Sequence, residues 1–225
     1  MTALTVPELD GQPLTLIPEE PASRGSEQEA DPELLAGRIS LGGPLSVLLT
    51  EDGIGDADGK VFLKAEAGAY DYRLMHLSLT VTDAAEAPFE TITLAVTLSS
   101  GGGPVVAWSM APERIVDTAH LTRSYKLGPQ LSIAGVDASL GGIEGSRSRE
   151  SAEVLVEALR PLRADPAWLI RRGGQVPVRG LYRFAMVVRA PHGRQVETEI
   201  VVSAAVRQRR LFGYRLARPV VVPLG

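Results

Sequence analysis

The sequence contains no cysteine, which excludes disulfide bonds, thiolate metal sites and cysteine nucleophiles. Asparagine is also absent, and lysine occurs only at Lys60, Lys64 and Lys126, so arginine supplies the other 20 basic side chains. A composition rich in alanine, glycine, valine and arginine is associated with GC-rich bacterial genomes. This association concerns codon usage and indicates no particular chemistry.

Long apolar runs are missing as well. No uncharged apolar stretch approaches the ~20 residues that a membrane-spanning helix needs. Residues 1–12 have neither the basic nor the apolar region of a secretion signal. We therefore expect a cytoplasmic protein without a transmembrane segment. The chain of 225 residues, 44% of them hydrophobic, is long enough to bury a core.

What the sequence does contain is β-strand alternation, which is clearest at residues 181–207. Apolar side chains occupy every second position from Tyr182 to Val188 and again, with the exception of Thr198, from Val196 to Val206. Pro191 and Gly193 lie in the short loop between these two runs. A period of two broken by such a loop predicts a β-hairpin.

Similar alternation recurs along the chain and gives about ten short strands separated by turn residues. This pattern predicts a mostly β fold, either an antiparallel β-sandwich or a flattened barrel. We expect at most one short helix, near residues 151–160, although the β-branched residues there fit a buried strand as well. In the strand predicted at 70–83 the apolar phase changes at 74–75, which indicates a bulge or a strand that passes between two environments.

Charge divides the chain unequally. Residues 1–113 carry 18 acidic and 5 basic side chains, whereas residues 114–225 carry 9 acidic and 18 basic ones, so their net charges are −13 and +9. We interpret residues 1–37 as an acidic, largely extended arm and residues 38–225 as the sandwich domain, with an internal division near 128–150 as an alternative. The acidic arm and the basic half are expected to attract each other within one molecule or between copies.

Sequence patterns for catalysis or metal binding are weak. The acidic loop at 52–59 fails the spacing of a calcium-binding EF-hand, so we interpret it as a solvated turn. Phosphate-binding glycine motifs and the serine-hydrolase motif are absent. His76 and His120 could bind zinc only if their strands were neighbours, which makes them weak metal candidates. We therefore expect no cofactor and assign no catalytic residue.

Arginine is the stronger signal, because it is dense in the C-terminal half and interleaved there with aromatic residues. Guanidinium groups beside aromatic rings can hold phosphates and stack on bases. A pI near 5.5 argues against nucleic acid, which is therefore an alternative that we do not favour. The candidate residues for binding an anionic partner are Arg171, Arg172, Arg183, Arg189, Arg194, Arg207, Arg209, Arg210, Phe212 and Tyr214.

Strong strand patterning without a catalytic motif favours a non-enzymatic interaction or scaffold module. In this interpretation the arginine-rich half binds a protein or another anionic partner, or the protein associates with itself. Two alternatives stay open. The first is a hydrolase or metal-dependent enzyme that uses the strand histidines. The second is a membrane-active, pore-forming β protein, in which a segment such as residues 91–103 or 141–151 refolds into a spanning hairpin.

Overall fold

The alternating apolar residues form antiparallel β-sheets in a computed structural model that describes residues 9–19, 33–116, 125–126, 132–133, 154–174, 176–207 and 211–224. One α-helix, α1 (Ala57–Glu66), follows a 3-10 turn at Glu51–Gly53. The strands are β1 (Gly11–Pro13), β2 (Leu16–Pro18), β3 (Ile39–Leu48), β4 (Tyr70–Val81), β5 (Phe89–Ser100), β6 (Val106–Ala111), β7 (Arg114–Val116), β8 (Tyr125–Lys126), β9 (Ser132–Ile133), β10 (Val154–Leu159), β11 (Ala167–Arg171), β12 (Gly180–Pro191), β13 (Val196–Arg207), β14 (Leu211–Leu216) and β15 (Val220–Leu224).

Two large sheets make up the fold. One has five strands in the order β1-β3-β4-β12-β6. The other has eight strands: seven follow the order β2-β14-β13-β5-β11-β10-β7, and the eighth, β15, pairs with β13 beside this path. Strands β8 and β9 form a separate two-stranded sheet. The predicted mostly β, antiparallel sandwich is confirmed.

The main core lies between the two large sheets. Met75, Leu77 and Leu79 of β4 contribute to it from the five-stranded sheet, and Ile92 and Leu94 of β5 contribute from the eight-stranded sheet. All five are at most 1% exposed. Burying side chains of this kind stabilises a fold by about 1.5–3 kcal/mol each, so this layer holds the sheets face to face.

The hairpin predicted at 181–207 is wrong in its pairing, although both of its arms are strands. β12 pairs with β4 and β6 in the five-stranded sheet, whereas β13 pairs with β5, β14 and β15 in the other. The rings of Phe184 in β12 and Trp168 in β11 meet across the core, with centroids 4.9 Å apart. Alternation makes a strand bury one face, but it does not specify the neighbouring strand.

The position expected for a helix is also wrong. Residues 154–159 form β10, whose residues pair with β11 and β7, so the β-branched character prevails there. The helix lies instead at 57–66, directly after the acidic loop. Asp56 caps it, since the Gly59 amide donates to Asp56 Oδ2 over 2.9 Å.

Helix α1 covers the outer face of the five-stranded sheet. Leu63 packs there in a second apolar cluster with Tyr72 and Leu74 of β4 and Val187 of β12. The phase change predicted in β4 therefore reflects two buried faces, because β4 pairs with β12 without a register shift from Tyr70 to Val81. The strand does face two environments, but no bulge occurs in this pairing.

Part of the first 37 residues contributes to the sandwich. β1 pairs with β3, β2 pairs with β14, and the side chains of Leu14, Leu16 and Leu35 are buried in the main core. Residues 20–32, which carry four of the eight acidic side chains in residues 1–37, lie outside the described residues.

Candidate functional site

One edge of the eight-stranded sheet is formed by two short strands that pair with each other. Arg114 lies opposite Glu157 and Val116 opposite Val154, in the antiparallel pair of β7 and β10. Val116 and Val154, the described residues on either side of the 37 positions from 117 to 153, are therefore paired with each other. We call the paired ends Val116 and Val154 the hairpin base.

A second antiparallel pair lies within this stretch. Tyr125 is opposite Ile133 and Lys126 opposite Ser132, with Gly128 between the two strands along the chain. The Cα atoms of β8 come within 8 Å of those of β6, an edge strand of the five-stranded sheet. The alternation on both sides of Gly128 is visible in the sequence, but the pairing of the flanking strands β7 and β10 is not, because 37 residues separate them.

The arginines proposed from the sequence do not form one surface. Arg171 and Arg207 lie toward one end of the sandwich, near the start of β5, where the amides of Arg172 and Arg207 donate to Glu90 O and Pro88 O over 2.9 Å. Ion pairs engage two of these side chains: Arg171 Nη2 is 3.7 Å from Glu157, and Arg207 Nε is 2.9 Å from Glu90.

Arg189 lies toward the opposite end and is stacked between two aromatic rings. Its Cζ is 4.3 Å from the ring centroid of Tyr70 and 4.5 Å from that of Trp108. Beside them, Tyr72 OH donates to Glu66 Oε2 over 3.5 Å, and burial raises the pKa of Tyr72 to about 12. This guanidinium is engaged by its own chain and is poorly placed to bind an anionic partner.

Arg194 also lies at this opposite end. It lines an open polar depression of about 590 Å³ together with Ser99, Ser100 and Glu197, and its aliphatic stem lies on Gly102, where a Cβ would come within 2.6 Å of Arg194 Cγ. The depression is formed by two exposed connections and lies far from the hairpin base along β5.

The remaining candidates differ in accessibility. Arg183 is exposed on β12, whereas Tyr214 is fully buried in the main core and cannot contact a partner. Arg209 and Arg210 lie outside the described residues, and Phe212 is described only as part of the backbone of β14.

The strand histidines receive no support as a metal site. His76 is 6% exposed, and desolvation by burial lowers its pKa. His120 lies outside the described residues. Asp71, which could have joined them, instead accepts from the Gly193 amide over 2.8 Å and pairs with His192 Nδ1 over 2.8 Å. Within the part of the chain that the structure describes, no three His, Asp or Glu side chains are placed to hold a metal ion.

Residues 91–103 and 141–151 were the two segments predicted to refold into a membrane-spanning hairpin. Residues 91–100 belong to β5, which is bonded to β11 on one side and β13 on the other, so this segment cannot leave without opening the middle of the sheet. Residues 141–151 lie outside the described residues.

Comparison with known proteins finds no matching family model and no matching curated protein. Among solved structures, one titled "Pore forming protein" is 9% identical and aligns over 83% of this chain and 91% of its own, with a TM-score of 0.36. The structure of the Clostridium perfringens NetB toxin in the membrane-inserted form is 7% identical over 82% of this chain and 94% of that one, with a TM-score of 0.29.

These titles contradict the main functional prediction. That prediction was a non-enzymatic interaction or scaffold module, whereas the two titles name a pore-forming protein and a toxin in its membrane-inserted form. The scaffold prediction is therefore wrong. Within the described ranges, no helix is long and apolar enough to cross a membrane.

Proposed function

We propose that this protein permeabilises lipid bilayers and that residues 119–140 form the β-hairpin that enters the membrane. The observation that carries the proposal is the β7–β10 pair at the edge of the eight-stranded sheet. Because the chain leaves and returns at one point, the stretch between the two strands can move away as a unit while the base stays paired. Refolding then costs no hydrogen bond in the middle of either large sheet.

The sequence of this stretch supplies an amphipathic hairpin. In the proposed hairpin, the pairing of Tyr125 with Ile133 continues along both arms in the direction away from Gly128. If Gly135 is an unpaired bulge residue, the apolar residues of both arms lie on a single face. These residues are Ala119, Leu121, Tyr125 and Leu127 in the first arm and Leu131, Ile133, Val136, Ala138 and Leu140 in the second.

The opposite face of this hairpin is polar. It carries His120, Thr122, Ser124 and Lys126 in the first arm. Alternation of an apolar and a polar side is what a strand needs when it has lipid on one side and water on the other. Arg123 is the exception, since it lies in the apolar phase. The arms contain nine and ten residues, which agrees with the ~9–11 that a tilted spanning strand requires.

A single hairpin cannot span a bilayer alone, because the outer edge of each arm would leave backbone N–H and C=O groups unbonded in hydrocarbon. Several copies must therefore place their hairpins side by side so that every edge is paired. The proposal accordingly includes self-association at the membrane.

The test is dye leakage from lipid vesicles with a matched pair of charge insertions. Leu121→Glu places a carboxylate on the apolar face, and we expect it to reduce leakage at least tenfold. Thr122→Glu places the same charge on the polar face and should leave leakage close to that of the unaltered protein. A third variant, in which a short Gly-Ser linker replaces residues 119–140, should melt like the unaltered protein but release no dye. Equal leakage from all of these proteins, or none from the unaltered one, would overturn the proposal.

A further inference from the structure

We infer that the β11–β12 connection at the hairpin base docks on bilayers containing anionic phospholipids, an inference that rests on the proposed membrane activity. No acidic residue occurs between Asp165 and Glu197, while six arginines do. Four of these, Arg171, Arg172, Arg179 and Arg183, lie in or beside the connection of residues 172–179. We call this segment, from Arg171 to Arg183, the docking loop.

The docking loop lies next to the hairpin base. β11 runs beside β10, with Ile170 opposite Val156, which is two residues from Val154. Adjacent strands are about 4.8 Å apart, so the loop begins within one strand spacing of the point where the proposed hairpin leaves the sheet. A membrane that receives the hairpin therefore meets this loop as well.

The described residues on either side of position 175 are joined by two backbone hydrogen bonds. The Gly173 amide donates to Val176 O over 3.2 Å, and the Val176 amide donates to Gly173 O over 3.1 Å, which makes a tight turn. Val178, two residues further on, is 1% exposed and anchors the loop in the main core. Val176 remains 36% exposed beside this anchor.

A second exposed apolar residue lies where the loop enters β12. Leu181 is 52% exposed, and Arg183, two positions on, is exposed on the same face of the strand. Arg179 is also exposed. Nη1 of Arg172 is buried and has no hydrogen-bond acceptor in the described part of the chain. Among the described residues, the acidic partner found for these four arginines is Glu157, which pairs with Arg171, and both of these side chains stay partly exposed.

This combination fits a lipid surface better than a nucleic acid. Guanidinium groups bind phosphate oxygens in pairs of hydrogen bonds, which either partner would supply. Exposed valine and leucine side chains gain free energy by entering the boundary between headgroups and acyl chains, and a nucleic acid backbone offers them no such environment. Each arginine near an anionic bilayer surface raises the affinity of a protein for that bilayer roughly fivefold.

The experiment is flotation of the full chain with vesicles of phosphatidylcholine, with and without phosphatidylglycerol. We expect binding to the anionic vesicles, and we expect Arg179→Glu with Arg183→Glu to weaken it at least tenfold. Leu181→Asp should also weaken it. The matched control is Arg163→Glu, which reverses the charge of a side chain that is 73% exposed. Arg163 lies in the connection between β10 and β11, at the end of these strands that is remote from the docking loop. This control should bind like the unaltered protein, and melting curves should show that all variants fold.

Each other outcome has a defined meaning. Equal binding to neutral and anionic vesicles, or an unaffected double variant, overturns the inference. Loss of binding on addition of inorganic phosphate at constant ionic strength would indicate a free-phosphate site, and tighter binding to an oligonucleotide would indicate a nucleic-acid surface; both results also overturn it. Binding to anionic vesicles without leakage would overturn the proposed function and leave the docking loop supported. Leakage that is equally fast from neutral and anionic vesicles would support the proposed function and overturn the inference about the docking loop.

Discussion

Two stretches of this chain carry the alternation of a β-hairpin, and they differ in whether the strands at their two ends pair with each other. The arms at 181–207 separate into different sheets, where β12 lies between β4 and β6 and β13 lies between β5 and the pair β14 and β15. The strands that flank 117–153 instead pair with each other at a sheet edge. The same pattern therefore yields two core strands in one place and, in our proposal, an element that moves as a unit in the other.

The two stretches differ in the number of neighbouring strands with which their strands pair. Moving β12 would break its ladders with β4 and β6, and moving β13 would break its ladders with β5, β14 and β15, so either movement would open the core. The proposed function requires neither movement. Elements that change conformation are generally drawn from the parts of a protein that open at low free-energy cost. The comparison predicts that substitutions in the core change stability without a specific effect on membrane activity, and that substitutions in 119–140 do the opposite.

The largest expected effect on stability is at the contact between the two sheets. Trp168 is fully buried against Phe184, and its Nε1 donates to Pro112 O over 3.2 Å. Trp168→Ala should lower the free energy of unfolding by about 3–5 kcal/mol, measured by denaturant titration. Replacement of residues 119–140 by a linker should cost far less. If the linker variant were the less stable of the two, the comparison between a fixed core and a separable hairpin would fail.

A smaller effect, on activity, is expected from Arg123, the one charge in the apolar phase of the proposed hairpin. An arginine on the lipid side costs about 2–4 kcal/mol near the bilayer midplane and about 0–1 near its surface. Arg123→Leu should therefore increase the rate of dye leakage, whereas Lys126→Leu, on the polar face, should not. A lower rate for Arg123→Leu would show that the two faces are assigned the wrong way round.

The smallest effect concerns pH. Burial lowers the pKa of His76 below its ordinary value of 6.5, so the unfolded chain binds a proton more readily than the folded one. The stability due to neutral His76 is complete above about pH 6.5 and is lost as the pH falls below it. The free energy of unfolding of His76→Leu should depend less steeply on pH between about 8 and 5. Parallel curves for the two proteins would show that His76 does not contribute.

The sequence predicted the strands well and their partners poorly. Alternation at 70–83, 91–98 and 196–206 marked β4, β5 and β13, because one face of each strand must be apolar wherever it lies in the sandwich. Neighbours depend on contacts that are distant along the chain, so the division of β12 and β13 between two sheets could not be read from either strand. Helix α1 was missed because its apolar face is short, with Leu63 buried and Val61 exposed.

The candidate site was predicted only in fragments. The density of arginine in the C-terminal half was visible, but burial removes Tyr214 and stacking engages Arg189, while Arg171 ends β11, next to the hairpin base. The pairing of Val116 with Val154 carries the functional proposal, and it joins positions 38 residues apart through strands of three and six residues. Such short strands give too few residues for a period of two to be recognised.

The most direct test of the central claim uses the absence of cysteine, since a single introduced cysteine can be labelled without background. A fluorophore sensitive to polarity is attached in turn at positions 119 to 122, and at Thr93 in β5 as a control. On addition of vesicles, emission should shift to the blue at 119 and 121 and stay unchanged at 120, 122 and 93. A uniform response along 119–122, or a shift at position 93 as large as at 121, would contradict it.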